Sequence, residues 1–285
     1  MTEIYKIAKI KMALDTKEAY FHEIMREYLL GGDEKDMYVK AEIADEIKIP
    51  TGCIIQRPKL SVFKENGYTT AYYSNNQGVY GAIRFDSVYS DCALYLLKDA
   101  VLDNLDYKEI GYLLLGMLFN YKLTYFNGVS LHGSAIKFDD DAIIFTAPSG
   151  VGKSTQAKLW KQKYGNRVTF INDDKPALRF EDGELYCYGT PFAGKEHLNG
   201  NTEAKVKAII NVVRGDVNKI EKTGKKESIA LMLEETARSM LNGNANRNIF
   251  TAIEHILSCT PIYKLTCTKQ LEAVETVYKR IYEEL

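Results

Sequence analysis

The segment Ala147-Pro148-Ser149-Gly150-Val151-Gly152-Lys153-Ser154-Thr155 constrains this chain more than any other. It fits the phosphate-loop pattern G-x-x-x-x-G-K-[ST] at every position but the first, where Ala147 stands for glycine. The residue types follow from the chemistry of holding an anion. Gly150 and Gly152 let the backbone fold close around a phosphate with its N–H groups turned inward. The loop then runs into a helix whose N-terminus carries free N–H donors and about +0.5 charge. Lys153 supplies a cation for β- and γ-phosphates, and the Ser154 hydroxyl is the expected Mg²⁺ ligand, with Thr155 second. Ser149, Gly150, Val151, Gly152, Lys153, Ser154 and Thr155 are thus the expected nucleotide-binding residues, and ATP with Mg²⁺ the expected cofactors.

The surroundings fit the pattern. A strand over Ala142–Ala147 precedes the loop, a helix over Lys153–Tyr164 follows it with Gly165-Asn166 as its stop, and Arg167–Ile171 reads as the next strand. Strand, helix and strand in about 30 residues form a βαβ unit, so the two strands run the same way and end at one edge of the sheet. The second strand leads into Asp173-Asp174, which the topology brings beside the terminal phosphate. One carboxylate there can hold Mg²⁺ while the other accepts a proton from an attacking hydroxyl. Because side chains alternate along a strand, only one of the two is expected to face the phosphate directly. The strand Val129–Phe138 is joined to Ala142–Ala147 by the acidic turn Asp139-Asp140-Asp141 and is expected to form a hairpin with it. A turn centred on Asp140 sets His132 near Pro148, where an imidazole can touch phosphate or orient a carboxylate. Further on, the loop Tyr188–Glu196 can bring Thr190, Lys195 or Glu196 to the site, with Glu196 as a second metal ligand. His22, His197 and His255 are expected to be structural.

At 285 residues the chain is one large domain or two ordinary ones. Residues 1–104 are rich in short runs of Val, Ile, Tyr and Phe, with one helix expected near Thr16–Leu30. The period changes at an apolar helix over Tyr107–Phe126, which places a boundary near residue 105: a β-rich domain at 1–104 and a nucleotide-binding domain at 105–285. Later helices are expected over Ser228–Leu241, Ile249–Ser258 and Lys269–Glu284. The 37 Lys and Arg balance 38 Asp and Glu for a net charge of −1, so no global field exists to hold a nucleic acid. Five scattered cysteines without C-x-x-C spacing argue against a disulfide framework or structural zinc and suit a reducing cytoplasm. The first fifteen residues lack the apolar core of a signal peptide, and the most apolar stretch, Ile110–Phe126, is interrupted by Asn120 and Lys122, so no membrane partner is expected. Asn218-Lys219-Ile220-Glu221 misses the last residue of a guanine-reading motif, which disfavours a GTPase.

Leu131-His132-Gly133-Ser134, then APSGVGKST, then Ile171-Asn172-Asp173-Asp174, in that order and spacing, resembles the catalytic domain of HPr kinase/phosphorylase and its relatives. That family shares its nucleotide-binding core with phosphoenolpyruvate carboxykinases. The resemblance spans about residues 105–285, with its specific motifs inside 131–196. It implies an α/β P-loop kinase domain with a mixed sheet, here preceded by a smaller β-rich domain. It also implies Lys153 on phosphate, Ser154 on Mg²⁺, Asp173 as base toward a substrate hydroxyl, Asp174 supporting it or the metal, and His132 as a neighbouring contact. The glutamate-arginine-glycine signature of the bifunctional enzyme is absent, and Gly189-Thr190-Pro191-Phe192-Ala193-Gly194-Lys195 resembles the divergent kinase-like branch. The expected activity is therefore transfer of the ATP γ-phosphoryl group to a hydroxyl of a protein, peptide or small molecule, with acceptor recognition in the first domain and assembly into a homo-oligomer. The rival is a nucleotide-binding sensor or NTPase without an acceptor.

Overall fold

The computed structural model describes residues 1–194, 198–238 and 241–284. It divides into two compact units, Met1–Tyr125 and Phe126–Leu285, and both mix helices with strands. The division falls after the apolar helix, not before it at residue 105 as the change of period suggests. The reason is packing: helix Tyr107–Leu123 lies on strands of the first unit, with Leu114 against Gly81 and with Leu96 and Phe21 crowding Gly111. Lys122, which interrupts its apolar run, donates to the Val88 carbonyl and the Ser90 hydroxyl.

In chain order the first unit holds β1 (Thr2–Ile7), β2 (Ile10–Asp15), α1 (Ala19–Ile24), β3 (Met37–Ala44), β4 (Ile55–Arg57), β5 (Leu60–Glu65), β6 (Tyr68–Asn75), β7 (Gly78–Phe85), β8 (Asp91–Leu97) and α2 (Tyr107–Leu123). The strands make one eight-stranded sheet in the order β1-β2-β3-β8-β7-β6-β5-β4. The β1–β2 hairpin lies in sequence that carried no strand expectation. The helix expected over Thr16–Leu30 shrinks to α1 and a 3₁₀ turn at Arg26–Tyr28.

The second unit continues with β9 (Gly128–Ser130), β10 (Gly133–Phe138), β11 (Asp141–Thr146), α3 (Lys153–Tyr164), β12 (Val168–Asp174), β13 (Ala177–Glu181), β14 (Glu184–Tyr188), β15 (Glu203–Arg214), β16 (Lys219–Lys222), α4 (Lys225–Glu235), α5 (Gly243–Cys259), β17 (Ile262–Cys267) and α6 (Glu272–Tyr278). Its sheet is mixed: β11 pairs parallel with β15, and β15 with β17, whereas β10 runs antiparallel to both β11 and β12. The two strands that flank the glycine loop and its helix, β11 and β12, do run the same way, but β10 sits between them. The run expected as one strand over Val129–Phe138 breaks at Leu131-His132, sending β9 to β13 and β10 to β11.

Two cores flank this sheet. Ile136, Phe138, Ile143, Phe145, Val168, Ile210 and Val212 pack on α3 and α6, while Ala135, Ala142, Ile144, Ile171 and Ile209 pack on α4 and α5. Alternation along each strand produces the two faces. Trp160 of α3, fully buried, meets Phe138 edge-on at 5.2 Å between ring centroids and Tyr164 at 5.4 Å, anchoring the helix that begins at the glycine loop. No described helix is long and apolar enough to cross a membrane. Trp160→Ala is expected to lower the unfolding free energy by about 3–5 kcal/mol, the usual cost of deleting a buried indole. Urea denaturation followed by circular dichroism checks this, and a loss under about 1 kcal/mol contradicts the packing described.

Candidate functional site

Between β11 and α3 the chain makes the turn its sequence requires. Gly150 and Gly152 have φ of 77° and 139°, values that side chains rarely tolerate. The Val151 N–H closes on the Pro148 carbonyl, and Gly152 caps α3 by accepting from Gln156. The first amides of α3, including those of Ser154 and Thr155, therefore have no partner within the helix. Ala147 is buried with ordinary backbone, so the one departure from the glycine pattern falls where no positive φ is needed. Lys153 is buried, and its Nζ donates to the Ala147 carbonyl at 2.8 Å and the Pro148 carbonyl at 3.5 Å. Burial pulls its pKa down. The negative charges of Glu235, Asp174 and Asp173 act in the opposite sense, Glu235 most strongly.

A β-bulge in β12 decides which acidic side chain lies on the α3 face of the sheet. Phe170 pairs with Ile136, but Asn172, not Ile171, pairs with Ala135. Ile171 is the extra residue, so it and Asn172 lie on the α4–α5 face and the alternation resumes one step late. Asp173 then pairs with Ser134, whose other neighbour Phe145 belongs to the α3 face. Asp173 consequently stands on the side of the sheet from which the glycine loop and α3 rise, mostly buried and with no hydrogen bond or ion pair to its carboxylate among the described residues. Asn172 becomes a buried staple: its Nδ2 donates to the carbonyls of Thr190 and Phe192 and to the Thr190 hydroxyl. That tie uses Thr190 inside the protein and removes it from the candidate set. Beyond it, Gly194 donates to the Asp173 carbonyl at 2.9 Å, and a Cβ at this glycine would stand 2.8 Å from the same oxygen. Lys195, Glu196 and His197 lie outside the described residues, and the expected metal ligand Glu196 with them.

Asp174 and His132 meet on the other side. The hairpin register is one residue off the expected one, Gly133 facing Thr146, which aligns His132 with Ala147 and not Pro148. The turn tightens to Asp139-Asp140, with Asp139 at φ 51° and held by Arg167. His132 Nε2 stands 3.9 Å from Asp174 Oδ1, while Lys175 Nζ is 3.7 Å from the other carboxylate oxygen. His132 Nδ1 is 2.8 Å from Oε2 of Glu235, a side chain only 5% exposed. One ring nitrogen of His132 thus pairs with Glu235 while the other faces Asp174. The His132 N–H also donates to the Glu235 carbonyl, and Leu131 bridges to Thr236. Glu235 is the functional candidate that sequence missed. The helix expected to run to Leu241 stops at Glu235 because the next residues turn extended to pair with Leu131. No local motif marks that stop.

An open pocket of about 750 Å³ adjoins the loop, walled by Pro148–Val151, by Asn211, Val213 and Arg214 of β15, and by Leu231, Glu234 and Glu235 of α4. Arg214, also unmarked by any motif, bonds the loop itself: Nε donates to the Val151 carbonyl at 3.0 Å and a terminal nitrogen donates to that of Gly150. Among the described residues no cluster of three or more His, Cys, Asp or Glu side chains forms a ready metal cage. Ser154 at the head of α3 and Asp174 at the end of β12 each offer an oxygen donor of the kind Mg²⁺ takes, an ion that keeps waters and shares substrate oxygens.

No protein-family model matches the chain, and no curated protein sequence matches it. Among solved structures, the Hpr(Ser) kinase/phosphatase from Coxiella burnetii is similar to it with a TM-score of 0.34 and 10% identity, over 54% of this chain and 97% of that one. The overlap is too loose to carry functional weight. Within the site, Glu235→Ala is expected to cost about 1–2 kcal/mol of stability, because it removes the buried carboxylate that ties α4 to the His132 ring. Chemical denaturation measures it, and an unchanged midpoint contradicts the tie.

Proposed function

We propose that the chain is an ATP- and Mg²⁺-dependent phosphotransferase that moves the γ-phosphoryl group to a hydroxyl. The observation that carries this reading is a glycine loop with a buried lysine at the head of α3, opening on a pocket that Glu235 walls, while the neighbouring strand β12 ends in Asp173-Asp174. Phosphoryl transfer asks mainly for positioning and charge compensation, and these groups supply both. The loop amides and Lys153 hold the phosphates. Bound by Ser154, Asp174 and phosphate oxygens, Mg²⁺ would offset the negative charge of the transferring group. Asp173 takes the acceptor proton as the acceptor oxygen bonds to the γ-phosphorus and the bond to the ADP oxygen breaks. Its support is the bulge that aims it to the loop side and the lack of a partner for its carboxylate among the described residues. His132, fixed by Glu235, orients Asp174.

Acceptor recognition is assigned to the first unit. The face of its sheet away from α2 presents Phe63, Tyr68, Tyr72 and Tyr95 around a pocket of about 350 Å³, with Arg84 stacked 3.6 Å above the Tyr68 ring. Such a surface suits a peptide or small organic acceptor. The acceptor hydroxyl belongs to a protein, a peptide or a small molecule of the cytoplasm, a setting consistent with cysteines that are all free.

Asp173→Asn should bind ATP with an affinity within a few-fold of the native chain and lose at least about 10²-fold in transfer, the usual share of a general base. Labelled γ-phosphate followed onto candidate acceptors measures the second quantity and calorimetry the first. Retained transfer refutes Asp173 as base, and ADP release with water as acceptor in the native chain favours an NTPase. Removing Mg²⁺ with EDTA should abolish transfer and its return restore it; metal-independent transfer contradicts the assignment of Ser154 and Asp174.

A further inference from the structure

We infer that Arg214 is a positioning residue that pre-sets the glycine loop for phosphate, an inference that rests on the nucleotide reading above. Arg214 ends β15, the strand paired in parallel with β11, so its position relative to the loop is fixed by the sheet. Its guanidinium donates to two successive carbonyls, those of Gly150 and Val151. In a trans peptide the carbonyl and the following N–H point opposite ways. Holding the Val151 carbonyl therefore turns the Gly152 N–H away from Arg214, and that N–H has no partner among the described residues. The same bonds bridge the two positions of positive φ, Gly150 and Gly152, where the backbone has the most freedom to lose. Lys153 cannot do this work, since its ammonium is taken up by the Ala147 and Pro148 carbonyls at the other end of the turn.

A planar fork matches two neighbouring carbonyls, whereas an ammonium is a single point of charge. The loop is thus ordered before ligand arrives, and binding is spared the entropy of ordering it. Arg214 acts through the loop on phosphate, so its loss should appear in affinity and not in the chemical step.

Isothermal titration calorimetry reads the binding. Mg²⁺-ATP and inorganic triphosphate are the probes. Arg214→Gln is expected to raise the Kd of both probes by the same factor, roughly ten- to a hundredfold for two lost bonds from a charged donor. In the transfer assay KM should rise with kcat held. Arg214→Lys should fall between the two. A side chain that served only general stability would lower the melting midpoint without splitting KM from kcat. Native affinity in Arg214→Gln overturns the inference. If Lys153→Ala meanwhile loses both probes, the nucleotide reading stands without Arg214. If the native chain binds neither probe, both readings fall together.

Discussion

Asp173 stands on the α3 face of the sheet because β12 bulges at Ile171. Were the same residues paired without a bulge, strict alternation would give that face to Asn172 and turn Asp173 to the face packed on α4 and α5. A buried carboxylate among aliphatic side chains would be protonated or would unfold the strand. With the bulge, Asn172 takes the buried position and finds three acceptors at Thr190 and Phe192, and Asp173 takes the loop side. One local irregularity therefore sets both the buried Asn172 tie and the face of the sheet on which Asp173 stands.

The charges around Lys153 form a second level of organisation. Burial disfavours its ammonium, and Glu235, Asp174 and Asp173 restore part of what burial removes. Its bonds to the Ala147 and Pro148 carbonyls leave an already desolvated cation that can exchange carbonyl oxygens for phosphate oxygens. Glu235 is partnered in turn by His132, so the carboxylate nearest in effect to Lys153 is not a lone buried charge. The tie also joins the end of α4 to the start of β10, which makes the site's geometry depend on an element far away in sequence.

The glycine-loop unit is legible because its signals are local: a strand, two glycines at positive φ, a lysine and a helix follow one another without a gap. The parallel sense of β11 and β12 was legible for the same reason, since a crossover helix dictates it. The insertion of β10 between them was not, because strand order depends on pairing partners far apart. The bulge at Ile171 leaves no trace in composition. Arg214 and Glu235 were invisible because each reaches the loop or His132 through tertiary pairing, with no motif of its own. The boundary was misread because α2, apolar enough to look like the start of a new domain, covers the first sheet.

A crystal structure with a non-hydrolysable ATP analogue, Mg²⁺ and a captured acceptor tests the central claim most directly. The account predicts the triphosphate cradled by Gly150–Thr155, with an Asp173 oxygen within about 3 Å of the acceptor hydroxyl, or joined to it through one water. Asp173 directed into the α4–α5 core, or a triphosphate seated away from the glycine loop, would contradict it.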